Sequence, residues 1–279
     1  LIALSNRAVV GNDVDHGLFG VLALADHQET QKTLVRRYVV DAQAGSPDVI
    51  ACPVHEPIGY LRLQVAGVEM KYLLPAATVV HAKREAEAYV LDVRDVPSIA
   101  EVFGRIRKDF GKLDIAVNNA GMGAPVPAAE ITEDYWNNMM SLNMRGLFFC
   151  CQAAGKIMLE QEEGRIINMS SQAAVVGIPE ESVYCASKAG VNMLTKVLAL
   201  EWSSRGITVN AIGPTFIKTP GTAERLDDPS FRAAILSKLP IGRVGEISDV
   251  AGAVLYLASP AASMVTGSFL LVDGGWTAQ

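Results

Sequence analysis

The sequence has no histidine after His81; the four it contains, His16, His27, His55 and His81, all fall in its first third. Chemistry placed later in the chain can therefore be neither a Ser-His-Asp triad nor a His-ligated zinc. Cysteine is equally sparse. Cys52, Cys150, Cys151 and Cys185 form no C-x-x-C pair, which excludes zinc ribbons and redox dithiols and leaves reduced thiols as the expectation. No run of about 18 or more uncharged apolar residues occurs, so no membrane span is expected. The opening Leu1–Leu4 is too short for a secretory signal. A basic stripe is missing as well: 24 Lys and Arg stand against 30 Asp and Glu, a net charge of −6, which argues against a nucleic-acid partner. These absences leave the expectation of a cytoplasmic protein with reduced thiols and no His-ligated metal in its later two thirds.

What is present is ordinary for a soluble α/β protein: 279 residues, half of them hydrophobic and 6% aromatic. From Tyr89 onward strand and helix patterns alternate. Pro97–Phe110 has helical spacing and stops at Gly111, and Leu113–Asn118 reads as a buried strand closed by Asn118-Asn119-Ala120-Gly121. Thr132 is placed to cap a helix running to about Glu160, with Glu133 and Asp134 suiting its positive end. Arg165–Met169 is the next strand, Ser182–Ser204 a helix, and Gly206–Ile212 a strand. Short helices are expected over about 220–239, a helix capped by Ser248 over Ser248–Ala258, and a last strand at Ser268–Val272. The strands are continuous apolar runs, as in a parallel sheet covered on both faces. Right-handed crossovers then give a doubly wound, Rossmann-like arrangement in one domain, residues 1–279.

Of the seven tyrosines only Tyr184 has a lysine four places on, Lys188, and positions i and i+4 share a helix face. A phenol ionises near pH 10, too high for a base at neutral pH, and a neighbouring ammonium favours the phenolate. Closing that gap takes about 4 kcal/mol of differential interaction. Ser171 follows the strand Arg165–Met169, at the carboxyl end that lines the ligand crevice of an open parallel sheet. A serine there can hydrogen-bond a substrate oxygen, and Gln172 beside it can bind a hydroxylated substrate. Asn143 sits inside a helix, where asparagine is mildly unfavourable, and can hold a water near the site. Taken singly, each of these has a plain alternative: a surface pair, a turn serine, a solvated asparagine.

Together, Asn118-Asn119-Ala120-Gly121, Asn143, Ser171, Tyr184-x-x-x-Lys188 and Val209-Asn210-Ala211-Ile212-Gly213-Pro214 resemble the short-chain dehydrogenase/reductase family, of the type about 250 residues long. The resemblance covers residues 89–279 and is strongest to members handling sugars, polyols and 3-oxoacyl groups. It implies a seven-stranded parallel sheet and a cofactor that is NAD or NADP, NAD being favoured. Tyr184 would be the acid/base, Ser171 would polarise the substrate carbonyl, and Lys188 would bind the nicotinamide ribose and depress the Tyr184 pKa. Asn143 would hold a relay water. Asp92 and Val93 would meet the adenine, Asn118, Ala120 and Gly121 the ribose, and Pro214, Ile217 and Thr219 the nicotinamide. A mobile lid over about Phe216–Leu239 and a homotetramer are also implied.

Residues 1–88 are atypical. The family opens with strand, Thr-Gly-x-x-x-Gly-x-Gly and helix, whose glycines let the backbone approach the pyrophosphate. Two degraded placements exist. In one, Ala8–Val10 is the strand, Gly11, Gly17 and Gly20 the loop and Asp41 the ribose acid. In the other, Val49–Cys52 and Ala77–Val80 are strands around Ile58-Gly59, with Lys83 and Arg84 for an NADP phosphate, but Pro53 and Pro57 remove two donors. A shifted reading frame upstream of Glu87 would give the same sharp boundary. Against the oxidoreductase stand a non-catalytic binding or scaffold protein on the same fold and a 3-oxoacyl-thioester reductase. The longer epimerase-like relatives fit poorly, because the chain ends soon after Asp273-Gly274-Gly275.

Overall fold

The computed structural model describes residues 89–278, together with the backbone of five short strands before them: β1 (Ile2–Leu4), β2 (Ala8–Val9), β3 (Leu61–Val65), β4 (Val68–Tyr72) and β5 (Ala86–Glu87). Four strands follow: β6 (Ile115–Asn118), β7 (Gly164–Met169), β8 (Ile207–Pro214) and β9 (Phe269–Val272). The helices are α1 (Val96–Phe110), α2 (Glu133–Met140), α3 (Leu147–Gln161), α4 (Ser182–Trp202), α5 (Pro220–Asp227), α6 (Pro229–Leu236) and α7 (Ile247–Ala258). The main sheet has seven strands in the order β5-β2-β1-β6-β7-β8-β9, and β3 pairs with β4 as a separate hairpin.

From β6 onward the sheet is parallel as expected, with registers such as Val117↔Ile167, Ile167↔Asn210 and Ile212↔Leu270. The first strand differs. β1 runs antiparallel to β6, with Ala3 opposite Ala116, and antiparallel to β2. The reason is length: only three residues separate Leu4 from Ala8, enough for a hairpin, whereas a parallel return needs a crossover of about a dozen. Of the two placements for the phosphate loop, the strand at Ala8–Val9 is present. Gly11, Gly17, Gly20, Asp41 and the alternative around Val49–Cys52 and Ala77–Val80 lie outside the described residues.

Packing follows the sequence pattern. α1 buries Ile99, Val102, Phe103 and Ile106, an i, i+3, i+4, i+7 stripe, and ends where Gly111 takes φ 76° and donates to Arg107. β6 and β7 are buried on both faces, and Ile166, Ile167, Ile207 and Ile212 are wholly enclosed. Thr132 caps α2 by accepting from Tyr135 N at 3.1 Å. The long helix expected from there to Glu160 is interrupted: Ser141–Gly146 is π-helical, between α2 and α3. α7 begins one residue earlier than its expected start. Its cap is Glu246, not Ser248, and Glu246 and Asp249 satisfy each other's end of the helix in a capping box. A second, small core of Leu226, Ile235, Leu239 and Val244 lies under α5 and α6, with Phe216, Phe231, Leu236 and Trp276 packed against it.

Candidate active site

α4 begins at the carboxyl end of β7, so its first two turns face the residues that leave that strand. Tyr184 lies in the first turn and Lys188 in the next. Lys188 is buried and donates from Nζ to the carbonyl of Met169, the last residue of β7, at 2.9 Å. Its Nζ is 5.6 Å from the centre of the Tyr184 ring. Burial pulls the lysine down to about 8. Ser171, two residues beyond β7, caps a short 3-10 turn by accepting from Ala173 N at 3.1 Å, and its hydroxyl favours ionisation of the nearby Tyr184 phenol.

The electrostatics depart from the expected picture of a phenol acidified by Lys188. Burial dominates and pushes the Tyr184 phenol up; the Ser171 hydrogen bond works downward, and the charge of Glu181 adds to the rise. Lys188 is not among the causes, being itself desolvated and readier to lose its proton. In this structure Tyr184 is a neutral phenol at neutral pH, poised to donate.

Asn143 is wholly buried in the π-helical segment, where an extra residue per turn is a frequent mark of functional sites. Its Oδ1 accepts from Met122 N and its Nδ2 donates to Met122 O, both at 2.8 Å, and Nδ2 also lies 3.2 Å from Ser187 Oγ on α4. The side chain thus fixes the turn after β6. That turn passes close over the site: a Cβ on Gly121 would lie 3.2 Å from Lys188 Nζ and 3.3 Å from Asn143 Oδ1, and one on Gly123 3.3 Å from the Tyr184 ring. Sequence reasoning missed Gly123; its spacing from Gly121 was the available signal.

Asn118 is turned inward. It donates to Asn168 Oδ1 at 2.8 Å and to Cys151 Sγ at 3.1 Å, while Asn168 donates to Thr195 on α4 at 3.0 Å. This braces β6 and β7 against α4, and burial drives the Cys151 thiol upward, so it is inert. Cys150, Cys151 and Cys185 are free thiols, as expected; Cys52 is outside the described residues. Asp92 is engaged by Arg94, whose Nε and guanidinium reach it at 3.0 and 2.7 Å and hold its carboxyl low. Val93 packs against Gly146, where a Cβ would strike the Val93 carbonyl. Val93, Asn118 and Ala120 line a small cleft with Leu147 and Cys150. Beyond Pro214, Ile217 bridges to Gly245 and Thr219 caps α5 in a capping box with Thr222. Gln172 is buried and its Oε1 has no protein partner.

These residues fit the nicotinamide-ribose half of a dinucleotide. Lys188 has three N–H donors and one protein acceptor, which leaves two for ribose hydroxyls. Gly121 and Gly123 bring the backbone close against Lys188 and Tyr184, an approach that a side chain at either position would obstruct. Among the described residues no cluster of His, Cys, Asp and Glu could hold a metal, and no helix is long and apolar enough to cross a membrane.

A Rossmann-like sheet with a Ser-Tyr-Lys-Asn constellation, its serine, lysine and asparagine buried, at the carboxyl ends of its central strands defines a nicotinamide-dependent oxidoreductase. The chain belongs to the short-chain dehydrogenase/reductase family: the family model described as "Enoyl-(Acyl carrier protein) reductase" matches residues 63–277. It is similar to the D-threitol dehydrogenase of Mycolicibacterium smegmatis, 42% identical over 190 residues that cover 68% of this chain and 72% of the relative. A solved gluconate 5-dehydrogenase from Burkholderia cenocepacia, in complex with NADP and tartrate, superposes with a TM-score of 0.69 at 32% identity, covering 74% of this chain and 82% of that one. An NAD+-bound xylitol dehydrogenase gives 0.67 at 31% identity, covering 71% and 82%.

Proposed function

We propose that the chain interconverts a polar secondary alcohol and its ketone, the alcohol being a polyol, sugar, sugar acid or hydroxy acid. The observation that carries this reading is the placement of Tyr184 and Lys188 on one face of α4, beside Ser171 and under the Gly121–Gly123 turn. The threitol, gluconate and xylitol relatives favour hydroxylated substrates. The bound NAD or NADP supplies the hydride chemistry. The protein supplies the rest. Ser171 and Tyr184 present two hydroxyls to one substrate oxygen, donors placed before charge develops there. In reduction Tyr184 Oη gives its proton to that oxygen and becomes a phenolate; in oxidation the phenolate takes the carbinol proton and the neutral phenol returns. Lys188 holds the ribose with its free N–H groups, and Asn143 keeps the turn above the site in place. Asp92, Val93, Ala120, Gly121, Pro214, Ile217 and Thr219 border the cofactor, and Ser171, Gln172 and Tyr184 the substrate. NAD is favoured over NADP.

We further propose a cytoplasmic homotetramer. Met193, Val197 and Leu200 form an exposed apolar stripe at i, i+4 and i+7 on α4, Leu200 being 85% exposed. A sedimentation or light-scattering mass four times that of the chain is the expected result; a monomer overturns the assembly. The enzymatic reading is tested by following nicotinamide absorbance with NAD and NADP over a panel of polyols, sugar acids and a 3-oxoacyl thioester. Turnover of the thioester alone would select the reductase alternative. An intact fold that binds neither NADH nor NADPH would select the scaffold.

A further inference from the structure

The site contains one buried carboxylate that the chemistry above does not use. Glu181 is the N-cap residue of α4, 9% exposed, yet its side chain caps nothing. A carboxylate at a helix N-terminus ordinarily accepts from the first-turn N–H groups. Here Oε1 faces Arg225 of α5 at 3.9 Å, the long limit of an ion pair, and Oε2 is buried without a partner. Arg225 is itself drawn over the Phe231 ring, 4.3 Å from its centre, and is half exposed. Glu181 stands one helical turn before Tyr184, and its charge pushes up both that phenol and Tyr135, whose hydroxyl donates to the Ala124 carbonyl.

Seven buried side-chain atoms lack a protein partner among the described residues, and one of the others belongs to Gln172, the chain neighbour of Ser171: Oε1, again an acceptor. Buried acceptors left unpaired in a folded protein are costly, and they are retained where something else supplies the donor. Both atoms ask for the same thing. A hydroxyl can donate to them; a substrate carboxylate or a thioester carbonyl has no proton to give. A carboxylate would also stand against the charge of Glu181 in a place where water screens it poorly.

We propose that Glu181 and Gln172 receive hydroxyl groups flanking the reacting carbinol, and that this selects neutral polyols over sugar acids. The inference rests on the oxidoreductase reading and narrows its substrate. Arg225 then acts as a positioning residue: it orients Oε1 from the lid side and leaves Oε2 to the ligand.

The full-length protein with nicotinamide cofactor is assayed on xylitol, D-gluconate and 2-butanol. Wild type is expected to favour xylitol over each of the others by about tenfold or more in kcat/KM. Glu181→Gln keeps the size of the side chain and removes its charge. It should narrow the xylitol-to-gluconate ratio about tenfold, mainly through KM. Gln172→Leu should narrow the xylitol-to-2-butanol ratio about as much. A proportional change on all three substrates in both variants assigns the residues to packing and overturns the proposal, as does a wild type that prefers gluconate or treats 2-butanol like xylitol. Those outcomes leave the oxidoreductase reading standing. Failure to turn over any alcohol with either cofactor overturns both.

Discussion

Asn143 grips both main-chain polar groups of one distant residue, accepting from Met122 N and donating to Met122 O at 2.8 Å each. A primary amide offers a donor and an acceptor on separate atoms, as this pairing needs, and leucine of similar size offers neither. The turn held in this way carries Gly121 over Lys188 and Gly123 over Tyr184. Asn143→Leu leaves the Met122 N–H and carbonyl unpaired, one buried group costing about 1–3 kcal/mol. The expected result is a lower urea midpoint together with a weaker grip on nucleotide, measured by NADH fluorescence titration. A variant equal to wild type in both would show that the turn holds itself.

Tyr184→Phe removes the proton donor and leaves the ring that faces Gly123. Turnover should fall roughly 10²–10⁴-fold, the range for a lost acid/base, while nucleotide affinity stays within a few-fold. Retained turnover would assign the proton transfer elsewhere.

Gly121→Ala places a methyl 3.2 Å from Lys188 Nζ and 3.3 Å from Asn143 Oδ1, closer than either tolerates without moving. Both neighbours are buried and hydrogen-bonded, so neither yields freely. Nucleotide binding should weaken by about tenfold or more, a loss that misplaced contacts readily produce. The same change at Gly104, where the space is open, is expected to leave binding as it was.

Lys188 gives a pH dependence whose sign can be stated. Burial lowers it to about 8 in the folded protein, against about 10.5 for a free lysine. Between those values the unfolded chain holds a proton that the native chain has released, so stability rises with pH through that window. The contribution is roughly 2 kcal/mol between pH 8 and pH 10. Lys188→Met should flatten this slope in urea titrations at pH 7, 8, 9 and 10. Above pH 10 the Tyr184 phenol, held up by burial, works in the opposite direction.

The sequence reads most clearly where local rules and burial agree. The α1 stripe, the Gly111 stop, the Thr132 cap and the runs that became β6, β7 and β8 are all legible from residue spacing. The Tyr184–Lys188 pair is legible because helical geometry alone puts both on one face. The π-helical segment around Asn143 is not, since no local pattern encodes it and the partner of Asn143, Met122, lies in the turn after β6. Nor is the inward turn of Asn118, which depends on Asn168 fifty residues away. Nor is the burial of Glu181 in Pro179-Glu180-Glu181-Ser182, which faces Arg225 on a helix far along the chain. The reversed β1 follows from a three-residue spacing that was visible all along.

The aromatic knot beneath α5 and α6, in which Phe216 meets Phe231 edge-on at 5.8 Å and Trp276 at 5.5 Å, is tied to the chain's final turn and forms a cluster apart from the main core. Two cores in one molecule can melt separately. Amide exchange over residues 216–239 can run at a lower opening free energy than exchange in β7 and β8. Substitutions in this part of the chain therefore load the small cluster first and leave the main core, which packs β7, β8 and α4, as it is.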